Sequence, residues 1–392
     1  MSKNRLKKII FLLSALVTLA CTVHAFSEPA KNVAGKDTVI VSENKNKRHD
    51  MFTDDYFSYW SGSPDASVTV NAPEGKKLQG LYLSFFRNVP EVSVFDAETG
   101  VQIARYSDPF ENAWIPFSSP CSAVCFSASD GQSMQISRLC ALTEGDVPAW
   151  VQQWHVLDGS ADLMLVSTHA DDELLWFGGM LPTYAGEQKK KVIVVYMCAG
   201  QTPGRKNELL DGLWHCGVRD YPDIGSLPDN RSMQVRDELE HWGEKTALNR
   251  VCAAMRKYRP RVVAAQDIAG EYGNPLHIIT TDAVLQAVLS GGLNETVDPE
   301  SFAVYGGWQP DKLYVHLYRE NEVIFDWSVP LQAFGGKNGK KIAAEAFKMH
   351  ASQQKGRYSV RDYGQYDCRK FGLYFSKVGP DEEKNDLFEH IN

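Results

Sequence analysis

Positive charge is in short supply in this sequence. Its 392 residues include 41 Lys and Arg against 49 Asp and Glu, a formal net charge of −8. Neutralising phosphates needs clustered cations, so the balance argues against a nucleic-acid partner, and against an anionic lipid surface for the same reason. Beyond residue 25 no run approaches about 18 consecutive apolar residues, so no stable membrane span is expected in the body of the chain. There is no Gly-x-Ser-x-Gly elbow, which disfavours a serine hydrolase. There is no Gly-x-Gly-x-x-Gly, which disfavours a nucleotide cofactor. The eight cysteines lack finger or ribbon spacing. No internal repeat or low-complexity segment is evident.

What is present first is an export signature. Lys3, Arg5, Lys7 and Lys8 form a basic opening, and Ile9 to Ala20 is an apolar run too short to span a bilayer comfortably. Val23-His24-Ala25 then suits cleavage before Phe26. Residues 1–25 read as a signal peptide, so a periplasmic, cell-surface or extracellular location is expected. Lipid attachment at Cys21 is a weaker rival, because Thr18 suits a lipobox poorly. In such a compartment disulfides persist, and one or two bridges are expected among the remaining cysteines. Residues 26–50, polar and lysine-rich, read as a flexible leader.

Residues 51–150 read as a β-sandwich. Ser67 to Val70, Gly80 to Phe85 and Glu91 to Phe95 alternate in polarity, and turn residues such as Pro73-Glu74-Gly75 and Glu98-Thr99-Gly100 separate them. Tyr56, Tyr59, Trp60, Phe86 and Trp114 could bind sugar, but filling the core is the favoured reading. From about residue 151 to 392 the pattern changes. Leu163 to Val166, Val192 to Tyr196, Arg261 to Ala265 and Leu313 to Leu317 are largely continuous apolar runs, as strands buried on both faces require. Helical patterns lie between them, over Asp171 to Ala185 and Met233 to Tyr258. This alternation predicts a Rossmann-like, doubly wound, mostly parallel α/β sheet.

Ligands of such sheets bind where loops leave the carboxyl ends of the strands. One loop is Thr168-His169-Ala170-Asp171-Asp172-Glu173 and another is Gly270-Glu271-Tyr272-Gly273-Asn274-Pro275-Leu276-His277. Asp171 or Asp172 could cap the following helix. Capping leaves unexplained why His169 stands three residues before Asp172. With His277 these residues supply two imidazoles and one carboxylate, a set that suits zinc with an open position for water and substrate, though another divalent ion could use it.

The His-x-Asp-Asp-Glu loop followed by Gly-Glu-Tyr-Gly-x-x-x-His resembles the PIG-L/LmbE family of zinc-dependent N-acetylglucosaminyl deacetylases. Met197 to Gly200, Arg205 to Glu208 and Gly217-Val218 lie between the two loops, as in that family. The resemblance covers roughly 160–290. It implies that His169, Asp172 and His277 bind zinc, Asp171 is the general base and Tyr272 steadies the oxyanion. Arg205 and Glu208 fall where the family often places groups near the substrate; a surface i,i+3 pair explains them equally. Two departures stand out. Ala170 replaces a Pro, and Asn274 replaces a His that manages charge in the tetrahedral intermediate. Asn274 can donate a hydrogen bond but cannot carry a proton. The expected activity is removal of the acetyl group from an N-acetylated amino sugar or glycan. The alternative is a glycan-binding protein whose deacetylase-like part is inactive. His350 to Gln353 and the turn-rich stretches 221–223 and 228–230 are candidates to border the sugar pocket.

Overall fold

The computed structural model describes residues 28–243 and 245–391. The expected signal peptide, its cleavage point and Cys21 lie outside the described residues. No described helix is long and apolar enough to cross a membrane. Among the described residues the architecture is mixed α/β with three sheets.

Nine strands lie between residues 39 and 143: β1 (Val39–Val41), β2 (Trp60–Gly62), β3 (Ser67–Asn71), β4 (Leu78–Phe85), β5 (Val92–Asp96), β6 (Gln102–Tyr106), β7 (Asn112–Cys121), β8 (Ala123–Ala128) and β9 (Met134–Thr143). They form two antiparallel sheets, ordered β1-β3-β8-β5-β6 and β2-β9-β4-β7. Side chains of both sheets, including Val68, Val94, Phe126, Leu81, Leu83 and Ile136, share one apolar core. Each such side chain taken from water contributes roughly 1.5–3 kcal/mol. Residues 28–50 are not a loose leader. Pro29 bridges to Asp146 and Asn32 to Leu142, while β1 pairs with β3 and buries Val39 and Val41. Their few apolar residues fall where the core needs them, which a composition argument averages away. Of the five aromatics singled out, only Trp60 lies in this core; Tyr56 is buried against Asp211, Phe86 stacks on Tyr59, and Trp114 packs on a separate small cluster.

Seven further strands form the third sheet: β10 (Leu163–Ser167), β11 (Val192–Tyr196), β12 (Asp223–Ile224), β13 (Val262–Ala265), β14 (Lys312–His316), β15 (Glu322–Ile324) and β16 (Lys370–Ser376). Their order is β12-β11-β10-β13-β14-β16-β15, parallel from β12 to β14 and antiparallel at β16 and β15. Alternate residues enter opposite cores. Leu163, Leu165, Val194 and Ala264 join one, whereas Met164, Val166, Ile193 and Val263 join the other. That two-sided burial accounts for the continuous apolar runs.

Two expected helices are broken. After Asp172–Leu175 the chain turns at Gly178, whose φ is +52°, and resumes as a π turn at Pro182–Glu187. Gly178 and Gly179 press so closely on Cys368 and Trp327 that a Cβ at either would collide. The pattern over Met233 to Tyr258 splits into Val235–Trp242 and Thr246–Tyr258, the first ending at Gly243 with φ +83°. The expected disulfides are absent among the described residues. Cys121, Cys125, Cys140, Cys198, Cys216, Cys252 and Cys368 are all free. Most serve as small apolar side chains in separate cores.

Candidate metal centre

The sheet order reverses at the β10/β13 junction. β11 and β12 extend one way and β14 the other, so the loops after β10 and β13 leave beside a crevice. The first loop carries His169 and Asp172 and the second leads to His277. The helix Pro275–Leu289 begins with Pro at its first position and is capped by Asn274, whose side chain accepts from the backbone N–H of Leu276 and His277. Gly270, at φ +72°, keeps the second loop tight: a Cβ there would lie 2.5 Å from the Asn274 carbonyl oxygen.

Three ligand atoms converge. His169 Nδ1 lies 3.1 Å from Asp172 Oδ2 and 3.1 Å from His277 Nε2, which is itself 3.2 Å from Asp172 Oδ2. Nitrogen and oxygen ligands at ordinary zinc distances in a tetrahedron stand about 3.3 Å apart. The surroundings orient the set. Glu271 Oε2 lies 2.7 Å from His277 Nδ1. Accepting a proton there leaves the Nε2 lone pair facing the cluster. Glu271 also holds buried His316 at 3.1 Å. Asp172 accepts from its neighbour's backbone at His169 N and from the Trp176 indole N–H at 2.7 Å. Burial opposes charge on His277, yet Asp172 and Glu271 outweigh it and push the imidazole up to about 9. Burial likewise opposes ionisation of Asp172, but His277 and His169 hold that carboxyl well below the usual range. Two imidazoles and a carboxylate thus compete for protons at one point. A divalent cation satisfies all three donors there, so the residues fit a metal.

Asp171 stands beside this group. Its φ of +109° is strained for a residue with a side chain. Its backbone N–H donates to Glu173 Oε2 at 2.8 Å, and Glu173 Oε1 meets His350 Nε2 at 3.1 Å, both side chains fully buried. Burial first, then the charge of Asp172, pushes the Asp171 carboxyl up to about 7. Neither Asp171 nor Asp172 caps the short helix through its side chain, so the capping reading fails. Arg205 lies 3.7 Å from Asp171 and donates to the Ala170 carbonyl at 2.6 Å. Glu208 does not face Arg205. It is buried and accepts from the backbone and hydroxyl of Ser352, which anchors the late segment.

A cavity of about 380 Å³ opens over the cluster, lined among others by His169, Asp171, Arg205, Tyr272 and Asn274. Tyr272 is 42% exposed and packs its ring 5.3 Å from that of Tyr358. The Asn274 amide donates to the Tyr272 hydroxyl at 3.1 Å. Its carbonyl caps the helix, so both ends of Asn274 are engaged in positioning Tyr272 and His277. Of the late residues, Gln353 and Tyr358 reach the cavity, whereas His350 supports Glu173. Asp229 lines the rim with Arg231 and Met233, as the turn-rich stretch 228–230 suggested; 223–224 forms β12 instead. Tyr358 belongs to the late polar cluster that the sequence singled out, whereas Trp176 and Arg231 and the positioning roles of Glu173 and Glu271 were not foreseen. Glu271 stands inside the quoted loop motif, where a carboxylate near a ligand histidine was the available signal.

Residues 164–288 match the family model described as PIG-L: GlcNAc-PI de-N-acetylase. A 1D-myo-inositol 2-acetamido-2-deoxy-alpha-D-glucopyranoside deacetylase of Tsukamurella paurometabola is 27% identical over 217 residues, covering 44% of this chain and 71% of that protein. A second such deacetylase, of Frankia casuarinae, is 26% identical over 182 residues, and the match spans 39% of this chain but only 57% of that relative. Among solved structures, an N,N'-diacetylchitobiose deacetylase from Pyrococcus horikoshii in complex with its inhibitor is 16% identical, with a TM-score of 0.38 over 49% of this chain and 71% of that one. The stretch 164–288, which contributes the clustered His169, Asp172 and His277, belongs to the PIG-L/LmbE family of deacetylases.

Proposed function

We propose that this chain is an exported, zinc-dependent N-deacetylase that releases acetate from an N-acetylglucosamine-type sugar. The observation that carries the reading is the convergence of His169, Asp172 and His277 beside a strained, buried Asp171 at the floor of an open cavity. In this reading residues 28–150 form an accessory β unit and 151–392 a Rossmann-like hydrolase unit.

His169, Asp172 and His277 would hold the ion. When bound, it polarises an amide carbonyl and supplies a water acidic enough to attack at neutral pH. Asp171 accepts the proton of the attacking water and returns it to the departing amine. Arg205, 3.7 Å away, stabilises the ionised form of that carboxyl. The Tyr272 hydroxyl, oriented by the Asn274 amide, donates to the oxygen on which negative charge develops. Asn274 had suggested an inactive domain, but its place as helix cap and tyrosine support accounts for an amide at this position.

The test is acetate release from N-acetylglucosamine and its short oligomers by residues 26–392, beside metal content by elemental mass spectrometry. About one zinc per chain together with acetate release is the expected result. A chain that takes up no metal after zinc is resupplied sinks the hydrolase reading.

A further inference from the structure

A second, larger cavity of about 660 Å³ lies where the β-rich part meets the α/β part. Both contribute walls: Arg138 and Asp54 from the first, Asp211 and Trp214 from the second, with Trp150 and Gln152 from the connector. Its size is that of a small-molecule site, and such sites favour junctions of this kind. Nothing in the deacetylase mechanism uses it.

Its chemistry is specific. Trp150 is 44% exposed, an unusual state for an indole in a concavity. Its partner across an edge contact is buried Tyr82, with ring centroids 5.4 Å apart, so the ring is braced. Asp211 is fixed by three groups, accepting from Gln152 at 2.6 Å and Tyr56 at 2.7 Å, with Arg138 at 3.8 Å. Arg138 also donates to Asp54 at 3.2 Å. The lining carries two carboxylates, Asp54 and Asp211, two guanidiniums, Arg138 and Arg219, and His215, so its formal charge is close to balanced. A charge-balanced cavity with fixed planar polar groups beside a braced aromatic face suits a neutral, hydroxyl-rich ring with an apolar face. An anionic headgroup or phosphate is poorly matched.

The cavity is also mechanically tied to the metal centre. The helix Pro203–His215 carries Arg205 at the first cavity and Trp214 at the second, nine residues or roughly 14 Å along its axis. The segment containing Met349 and Gln353 makes the same passage, Met349 lining the second cavity and Gln353 the first. We infer that the junction cavity is a distal sugar subsite, made by both parts of the chain, that binds a neutral glycosyl residue of an oligosaccharide substrate. This rests on the amino-sugar reading above, and it makes the substrate longer than a monosaccharide.

The experiment separates the two readings. N-acetylated chitotetraose is titrated calorimetrically into the His277→Ala chain and into the His277→Ala, Trp150→Ala double variant, each checked for an unchanged melting temperature. Binding by the first, weakened about tenfold or more in the second, is expected from loss of an aromatic face. Such binding stands even if the wild type releases no acetate, in which case only the hydrolase reading falls. Equal affinity in both variants overturns the subsite, as does absence of binding to His277→Ala. Trp150→Phe, which keeps an aromatic face, should retain more of the affinity than Trp150→Ala; the reverse order also overturns it.

Discussion

The two parts of the molecule place their polar groups differently. Between residues 28 and 143 the buried carboxylates are Asp50 and Glu111 alone among the described residues, and Glu111 faces Lys206 and Tyr221 across the junction. The α/β part buries many more ionisable groups, among them Asp171, Asp172, Glu173, Glu208, Glu271, His277, His316 and His350, which gather about the cluster, and a separate Lys312–Asp381 pair. An antiparallel sandwich satisfies its backbone within its sheets and fills the space between them with apolar side chains. A parallel sheet leaves its loops at one edge, where charges can be held by one another. Burying so many ionisable groups is costly unless each is partnered, and here Glu271 serves two histidines while Glu173 serves His350 and the Asp171 backbone. The largest group of buried charges is thus organised around one cluster, whereas the β core is organised around packing.

That contrast can be broken experimentally. The largest effect should come from His277→Ala, which removes one of three ligands: metal content by elemental mass spectrometry should fall from about one per chain to near zero, and acetate release with it. Next is Asp171→Asn, which should keep the metal and lower turnover by roughly 10²–10⁴-fold. Full turnover in that variant would take the base role away from Asp171. Phe126→Ala in the β core should cost about 3–5 kcal/mol of unfolding free energy, read by denaturant titration, while turnover per folded molecule stays unchanged. A matching loss of turnover would mean that the two parts do not divide the labour as described. The smallest effect is expected for Asn274→Ala, about 1 kcal/mol from the lost helix cap, with a turnover deficit that Asn274→Asp repairs only in stability, since a carboxylate caps the helix but cannot donate to Tyr272.

Much of this was legible from the chain alone. Apolar runs marked the parallel strands because burial on both faces removes alternation, and Leu163 to Val166 needed no tertiary information to be read as a strand. His169, Asp172 and His277 could be singled out because their chemical type and their places after strands are local facts. Helix length was less so. Asp171 to Ala185 has a helical pattern, but Trp327 and Cys368, about 150 to 190 residues away in sequence, meet Gly178 and Gly179 and set the turn. Residues 28–50 looked like leader for a similar reason, since β1 exists only because β3 offers it an edge.

Local pattern was enough to set the strand–helix alternation and the chemical type of the side chains on the two loops, because these depend on neighbours a few residues apart. Long-range packing alone brings His169 Nδ1 and His277 Nε2, 108 positions apart, to within 3.1 Å of each other. It also decided that Glu208 anchors Ser352 rather than pairing with Arg205, and that Trp150 and Asp211 wall a common cavity. Those outcomes depend on which strands become neighbours in the sheet and how the two parts dock, and both follow from burying apolar surface across the whole chain.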